Sequence, residues 1–189
     1  MGDNEMNIQQ DIMNAGLIYG SFSDLDGRAL YETSFHKTGL SGYIIETGSG
    51  MGKSSAYLGL AAREKHEMLI CIDSSLSDVS SFSEFMKNIK SVNVNDSVIA
   101  TISTSENFVK VWNNAIKLLF INGKTSFNDL KREFYLFDKY VLLGGFVCIH
   151  GVDKDGKNEV VRFISSILAD NKYEFLGVGE SVGILKKIK

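Results

Sequence analysis

Beyond about residue 40, short apolar runs alternate with segments whose apolar positions recur every three or four residues. The runs at 42–46, 68–73, 98–103, 116–121 and 145–150 read as strands. Helices are predicted over 54–65, 80–90, 106–114, 127–140 and 159–169. In the second of these, Phe82, Phe85, Met86 and Ile89 fall on one face. Two last strands, 173–177 and 182–187, follow with only a turn between them. Strands separated by helices of about ten residues imply a parallel sheet with right-handed crossovers. The final pair, lacking a helix, implies an antiparallel hairpin at one edge. The first 40 residues carry two helical patterns, 7–19 and 27–35, read as a cap over the ligand crevice. The expected division is therefore a helical cap, 1–40, and one α/β domain, 41–189.

A length of 189 residues and an apolar share of 44% suit a single globular core. The formal charge of −3 argues against a nucleic-acid partner, which calls for a clustered basic surface. Lys186-Lys187-Ile188-Lys189 is too short to supply one. No apolar run approaches the roughly 18 residues that span a bilayer. The opening MGDNEMNIQQD is polar and acidic, unlike a signal peptide. Cys71 and Cys148 each sit inside an apolar run and read as buried free thiols, which suits the cytoplasm. Oligomeric state is left open, a homodimer included.

The candidate chemistry lies in Glu46-Thr-Gly-Ser-Gly-Met-Gly-Lys-Ser-Ser55, at the end of the first strand. Gly52-Lys53-Ser54 suggests a phosphate loop, but that motif needs a glycine five residues before Gly52, and position 47 is Thr. The shortened loop would not wrap a phosphate, and Glu46 and Asp73 would repel one. A dinucleotide fingerprint needs G-x-G-x-x-G, whereas the spacing here is G-x-G-x-G. Carboxylates at strand ends suit ribose hydroxyls instead. On this reading Lys53 faces solvent.

Glu46-Thr-Gly48-Ser-Gly50-Met-Gly52 resembles the first motif of class I S-adenosylmethionine (SAM)-dependent methyltransferases. Asp73, 21 residues after Gly52, matches the carboxylate that holds the cofactor ribose in that family. Ser103-Thr-Ser-Glu106 matches its adenine-side motif. LLFINGKTSFNDLKREF and LLGGFVCIHGV resemble two later segments of its small-molecule O-methyltransferase branch. The resemblance runs from about residue 40 to the end. It implies a doubly wound, Rossmann-like, seven-stranded α/β sheet in the order 3-2-1-4-5-7-6, with strand 7 antiparallel. It also implies SAM as cofactor, S-adenosylhomocysteine (SAH) as product and a small-molecule methyl acceptor. Cofactor contacts are expected from Glu46, Thr47, Gly48, Ser49, Gly50 and Ser54, from Asp73 and Ser74, from Thr104, Ser105 and Glu106, and from Asn122.

The sequence departs from that family where its members hold a divalent cation. Asn122 stands at the acidic position after the fourth strand, followed by Lys124 and Thr125, and Gly151 replaces the Asp after His150. Hard cations want several oxygen donors, preferably charged, so no metal site is expected, and Asp153 reads as part of a solvated loop. Two functions stay open. One is a metal-independent methyltransferase acting on a hydroxyl or amine, with His150 or Lys124 as base. The other is a binding or scaffolding protein that keeps the SAM pocket without turnover. Phe35 and Phe127 read as packing residues.

Overall fold

The computed structural model describes residues 3–20, 22–36 and 39–189. Helices α1 (Asp3–Leu17) and α2 (Asp24–His36) precede an alternating series. It runs β1 (Tyr43–Thr47), α3 (Lys53–Lys65), β2 (Leu69–Ile72), α4 (Val79–Ser91), β3 (Val98–Thr101) and α5 (Ser105–Phe108). It continues with β4 (Ile116–Ile121), α6 (Phe127–Phe137), β5 (Val141–His150), α7 (Glu159–Ala169), β6 (Tyr173–Val178) and β7 (Val182–Lys187). The sheet order is β3-β2-β1-β4-β5-β7-β6. The first five strands pair in parallel, and β7 runs antiparallel to both β5 and β6.

Strand β4 shows why the sheet lies in the middle. All six of its residues are buried. Leu118 and Phe120 point to one face, where they join Leu58, Phe85 and Phe22 from the helices α3 and α4 and the cap. Leu119 and Ile121 point to the other, against Leu130, Phe134 and Phe163 of α6 and α7. A strand buried on both faces is apolar throughout, as this one is except at Lys117. The Lys117 ammonium pairs with Glu67 and reaches the Ser34 carbonyl at 3.4 Å, away from the strand ends that carry the glycine loop.

The first two helices share this core rather than lying on it. Ile12, Ala15, Ile18, Phe22 and Leu30 pack with the sheet and α3. Gly27, at the end of the first turn of α2, lets the helices close: a Cβ there would stand 2.2 Å from the ring of Tyr57. A glycine within a helix costs roughly 0.5–1 kcal/mol against alanine, and the fully buried Tyr57 ring is what requires it. The Tyr57 hydroxyl donates to Asp24 on α2.

Two predicted elements differ from those observed. The helix expected over 106–114 stops at Phe108, with a single 3-10 turn to Val111. Trp112 then adopts extended backbone, φ −91 and ψ 130. That turns its ring between Tyr43, at 5.1 Å, and Phe108, at 5.2 Å, and a continued helix would forgo this packing. Strand β5 begins at Val141 rather than 145, because Val141 already pairs with Ile116. The glycines at 144 and 145 accompany a register shift beside Lys117 rather than ending the strand.

Candidate functional site

After β1 the chain turns sharply. Gly48, Gly50 and Gly52 have φ of +79, +52 and +87. At Gly48 a side chain is excluded twice, by that dihedral and because a Cβ would lie 2.4 Å from the Asn122 carbonyl oxygen. Asn122, at the end of β4, clamps the turn. Its amide nitrogen donates to the Gly48 carbonyl at 3.1 Å, and its side-chain oxygen accepts from the Gly123 N–H at 2.9 Å. From β2, Asp73 closes the other side. Its Oδ2 accepts from the Gly50 N–H at 2.8 Å. Its Oδ1 accepts from the Ser75 N–H at 2.8 Å and the Ser75 hydroxyl at 2.6 Å. A carboxylate has about four lone-pair positions. Three are used here, so Oδ2 retains one.

Two clefts open at the carboxyl ends of the strands, where open parallel sheets bind ligands. The first, about 450 Å³, is lined by Thr47, Asp73, Ser74, Thr104, Ser105 and Glu106, with Lys124 and Glu133. The Thr47 hydroxyl is buried on its wall without a hydrogen-bond partner, and such a group gains by meeting a polar ligand. Ser105 donates to Glu133, a buried carboxylate on α6. Arg132 approaches Glu106 at 3.3 Å. Thr104 caps α5, accepting from the Asn107 N–H at 3.3 Å. The second cleft, about 740 Å³, lies between the cap and the glycine turn. Tyr19 and Phe22 line it opposite Ser49, Gly50, Met51, Lys53, Ser54 and Asn122. Gly48 borders both clefts.

Among the expected contacts, Glu46 stands apart. It is 0% exposed and lines neither cleft. Its carboxyl accepts from the hydroxyls of Ser54, at 2.5 Å, and Ser55, and from the Cys71 thiol at 3.4 Å. Burial pushes its pKa up, and the Ser54, Ser55 and Cys71 hydrogen bonds offset only part of that. Glu46 thus braces the first turn of α3 from behind, and the Ser54 hydroxyl is turned toward it.

The two candidate bases are separated. Lys124 lines the first cleft, as Glu106 and Glu133 do. His150 ends β5, half-buried, and lines neither cleft. Its ring meets the edge of Phe22, with centroids 5.3 Å apart. Burial lowers the His150 pKa, and the charge of Asp26 raises it in part. Lys53 corrects the sequence reading: it is half-buried on the wall of the second cleft rather than facing solvent. Asp153 stays in its own loop, accepting from the Lys157 N–H at 2.9 Å. Phe127 packs on Phe163 at 5.7 Å, and Phe35 stacks on Tyr31 at 5.5 Å. Among the described residues, no three His, Cys, Asp or Glu side chains gather at metal-ligand spacing.

Sequence reasoning missed Glu133 and Asp26. Glu133 carried a signal, an acid among Leu130, Phe134 and Phe137 on the buried face of α6. Asp26 is 0% exposed on α2. Its Oδ1 accepts from the N–H groups of Glu180, Ser181 and Val182 at 2.9, 2.8 and 3.0 Å, tying the cap to the β6–β7 turn. Burial alone would raise its pKa. The hydroxyl and amide of Ser181, the Ser23 hydroxyl and the Val182 amide outweigh that and hold it below the usual carboxylate value.

A seven-stranded sheet of this order, with a glycine turn after β1 and a carboxylate after β2 flanking paired clefts, defines an open α/β protein built to hold a nucleoside-bearing ligand. The profile of a methyltransferase domain family matches residues 45–152, more than half of the chain. The chain belongs to that family. Its fold is shared with an O-methyltransferase from Bacillus cereus, solved in complex with SAH. The TM-score is 0.70 at 16% identity, covering 100% of this chain and 92% of that one. It is shared also with the O-methyltransferase TomG from Streptomyces achromogenes, involved in tomaymycin synthesis and solved in complex with SAM. There the TM-score is 0.69 at 16% identity, with 100% and 91% covered. The O-methyltransferase NovP superposes with a TM-score of 0.78 at 11% identity over 99% and 100% of the two chains. No described helix is long and apolar enough to cross a membrane.

Proposed function

We propose that this protein is a SAM-dependent methyltransferase acting on a hydroxyl or amine of a small molecule, without a metal ion. The observation that carries the reading is the Asp73–Gly50 pairing at a glycine turn bordering two clefts. The SAM and SAH complexes of TomG and the Bacillus cereus enzyme, which have the same fold, support it. The residues present fit such a cofactor. Asp73 offers its remaining lone pair to the ribose hydroxyls. Ser74, Thr104, Ser105 and Glu106 offer polar atoms for the adenine side, and the buried Thr47 hydroxyl gains a partner. Glu46 contributes by bracing α3 rather than by contact.

Bound SAM supplies an electrophilic methyl group on a sulfonium. The protein's part is to hold the acceptor in line with it and to take the acceptor's proton. His150 serves as the base. It is supported by its contact with Phe22 of the second cleft and by the burial that keeps its imidazole neutral near pH 7. Lys124 lines the first cleft instead. Metal independence is supported by Asn122, whose side-chain nitrogen is given to the Gly48 carbonyl and whose side-chain oxygen accepts from the Gly123 N–H. Two buried cysteines, neither in a disulfide, favour the cytoplasm as its compartment.

The test is transfer of labelled methyl from SAM to a panel of hydroxyl and amine acceptors, with Mg²⁺ and with chelator. Turnover unaffected by chelator is expected, and turnover abolished by chelator contradicts metal independence. SAH binding without transfer to any acceptor would mark the protein as a cofactor-binding partner instead. His150→Gln is expected to lower kcat and abolish the acidic limb of its pH profile. An unchanged profile removes His150 from the role.

A further inference from the structure

A ring of contacts closes around His150 and runs through Asp26. The Phe22 ring stands edge-on to the imidazole, with centroids 5.3 Å apart, and reaches Phe120 of β4 at 5.8 Å. The next residue, Ser23, is bound to Asp26 twice. Its hydroxyl donates to the Asp26 Oδ2 and accepts from the Asp26 N–H, each at 3.0 Å. That fixes the entry into α2, and Phe22 with it. Asp26 then accepts from the Val182 N–H at 3.0 Å, and Val182 stands opposite His150 in the β5–β7 ladder. The same turn holds the chain that follows His150. The Ser181 carbonyl accepts from the N–H groups of Gly151 and Val152, at 2.9 Å each. The cap residue against the imidazole and the strand beside it are thus tied to one carboxylate.

The latch by itself has little need of a charge. A neutral amide oxygen could accept the same three N–H groups, and a fully buried carboxylate is costlier to place. The imidazole is where a negative charge has a further use. Its protonated form is positive, and the charge of Asp26 favours that form against the burial that opposes it. Other charges of the facing loops are engaged elsewhere: Glu180 approaches Lys154 at 3.8 Å, and Asp153 accepts from the Lys157 N–H at 2.9 Å. From β7 and the cap, Val182 and Phe22 present apolar groups. We propose that Asp26 is a positioning residue for His150: it fastens the ring that holds the imidazole, and its anion steadies the imidazolium formed during transfer. This rests on the methyltransferase reading and extends it to a residue that lines neither cleft. The imidazole takes the acceptor's proton as the methyl passes from sulfur to the acceptor atom, and later gives that proton to water. Asp26 strengthens the base without touching substrate.

The experiment follows the His150 ring by carbon-edited NMR across pH with saturating SAH, His150→Gln identifying its signal among the three histidines. Asp26→Asn is expected to move the His150 midpoint to lower pH. It should also lower kcat for methyl transfer about threefold to tenfold, with the KM for SAM within about twofold. The acidic limb of the kcat profile should move with the midpoint. Ser181→Ala is the control. It removes one latch bond, at 2.6 Å, and keeps the anion, so it should lower Tm and leave the midpoint in place. An unchanged midpoint in Asp26→Asn overturns the proposal. So does an equal fall in Ser181→Ala, which assigns the effect to a loosened cap, or a midpoint that falls while the kcat profile stays. A midpoint that falls as expected in a protein that methylates no acceptor removes the methyltransferase reading and leaves the action of Asp26 on His150 standing.

Discussion

Replacing Asp26 by alanine tests whether one buried carboxylate fastens the cap to the sheet. Its Oδ1 accepts three backbone N–H groups of the β6–β7 turn, and its Oδ2 accepts the Ser181 and Ser23 hydroxyls at 2.6 and 3.0 Å. A hydrogen bond to a charged group contributes about 1.5–3 kcal/mol net. Glu180 and Ser181 lie near the surface, so water re-enters and the five bonds do not add. A loss of about 3–4 kcal/mol is expected for Asp26→Ala. For a domain of this size each kcal/mol moves Tm by about 2–4 °C, so calorimetry should record a fall of roughly 10 °C. Asp26→Asn keeps the Oδ1 acceptor for the three amides but loses the charge and the Oδ2 acceptor of the two hydroxyls, and should fall by about half as much. The pH dependence has a definite sign. The folded-state pKa is depressed, so the contribution is fully present above the unfolded value near 3.9 and is lost as pH falls through the folded value. The gap between wild type and Asp26→Asn should therefore close below about pH 4. A Tm within about one or two degrees of wild type for Asp26→Ala would refute the latch. So would a gap that widens in acid.

Glu46 should behave in the opposite sense. Its folded pKa is raised by burial, so keeping it charged costs stability as pH rises from the unfolded value near 4.3 toward the folded one. Urea midpoints at acid, neutral and alkaline pH should show Glu46→Gln as stable as wild type or more so above neutrality. A wild-type advantage growing with pH would contradict this. Gly48→Ala forces a Cβ into the Asn122 carbonyl and a left-handed backbone on alanine. It should abolish SAH binding and lower Tm, and retained binding would mean the turn is not as close-fitting as described. Glu133→Gln keeps the shape of the buried side chain and an acceptor for Ser105, so its Tm should change little. SAH affinity should fall severalfold if the carboxylate's charge supports the cofactor's adenine side, and an unchanged affinity would confine Glu133 to bracing Ser105.

Much of the fold was legible because local pattern and tertiary role coincide. In IKLLFI every residue is buried, and its apolar run matches β4 residue for residue. The closing hairpin followed from the missing helix between 173–177 and 182–187. The helix over 106–114 was over-read because its end is decided by Trp112, whose ring partners lie on β1 and α5. Within the site, Gly48 and Gly50 were legible from their spacing in the loop after β1, and Asp73 from its place at the end of the next strand. The latch of Asp26 was not, since it acts on backbone amides more than 150 residues away, which leave no mark in composition. Lys53 was misread as solvent-facing for a similar reason: the cap backbone at Gly20 comes alongside it only in the fold. Glu46 looked like a ligand contact from its place in the motif, yet its neighbours Ser54 and Ser55 take it inward.

The most direct test of the cofactor site is calorimetric titration of SAH into wild type and Asp73→Ala. Wild type should bind one equivalent. The variant loses both the ribose acceptor and the anchor of the Gly50 amide, and should bind about 30–100-fold more weakly, on the order of 2–3 kcal/mol. No binding by the wild-type protein, or equal binding by the two, would contradict a SAM site at this turn.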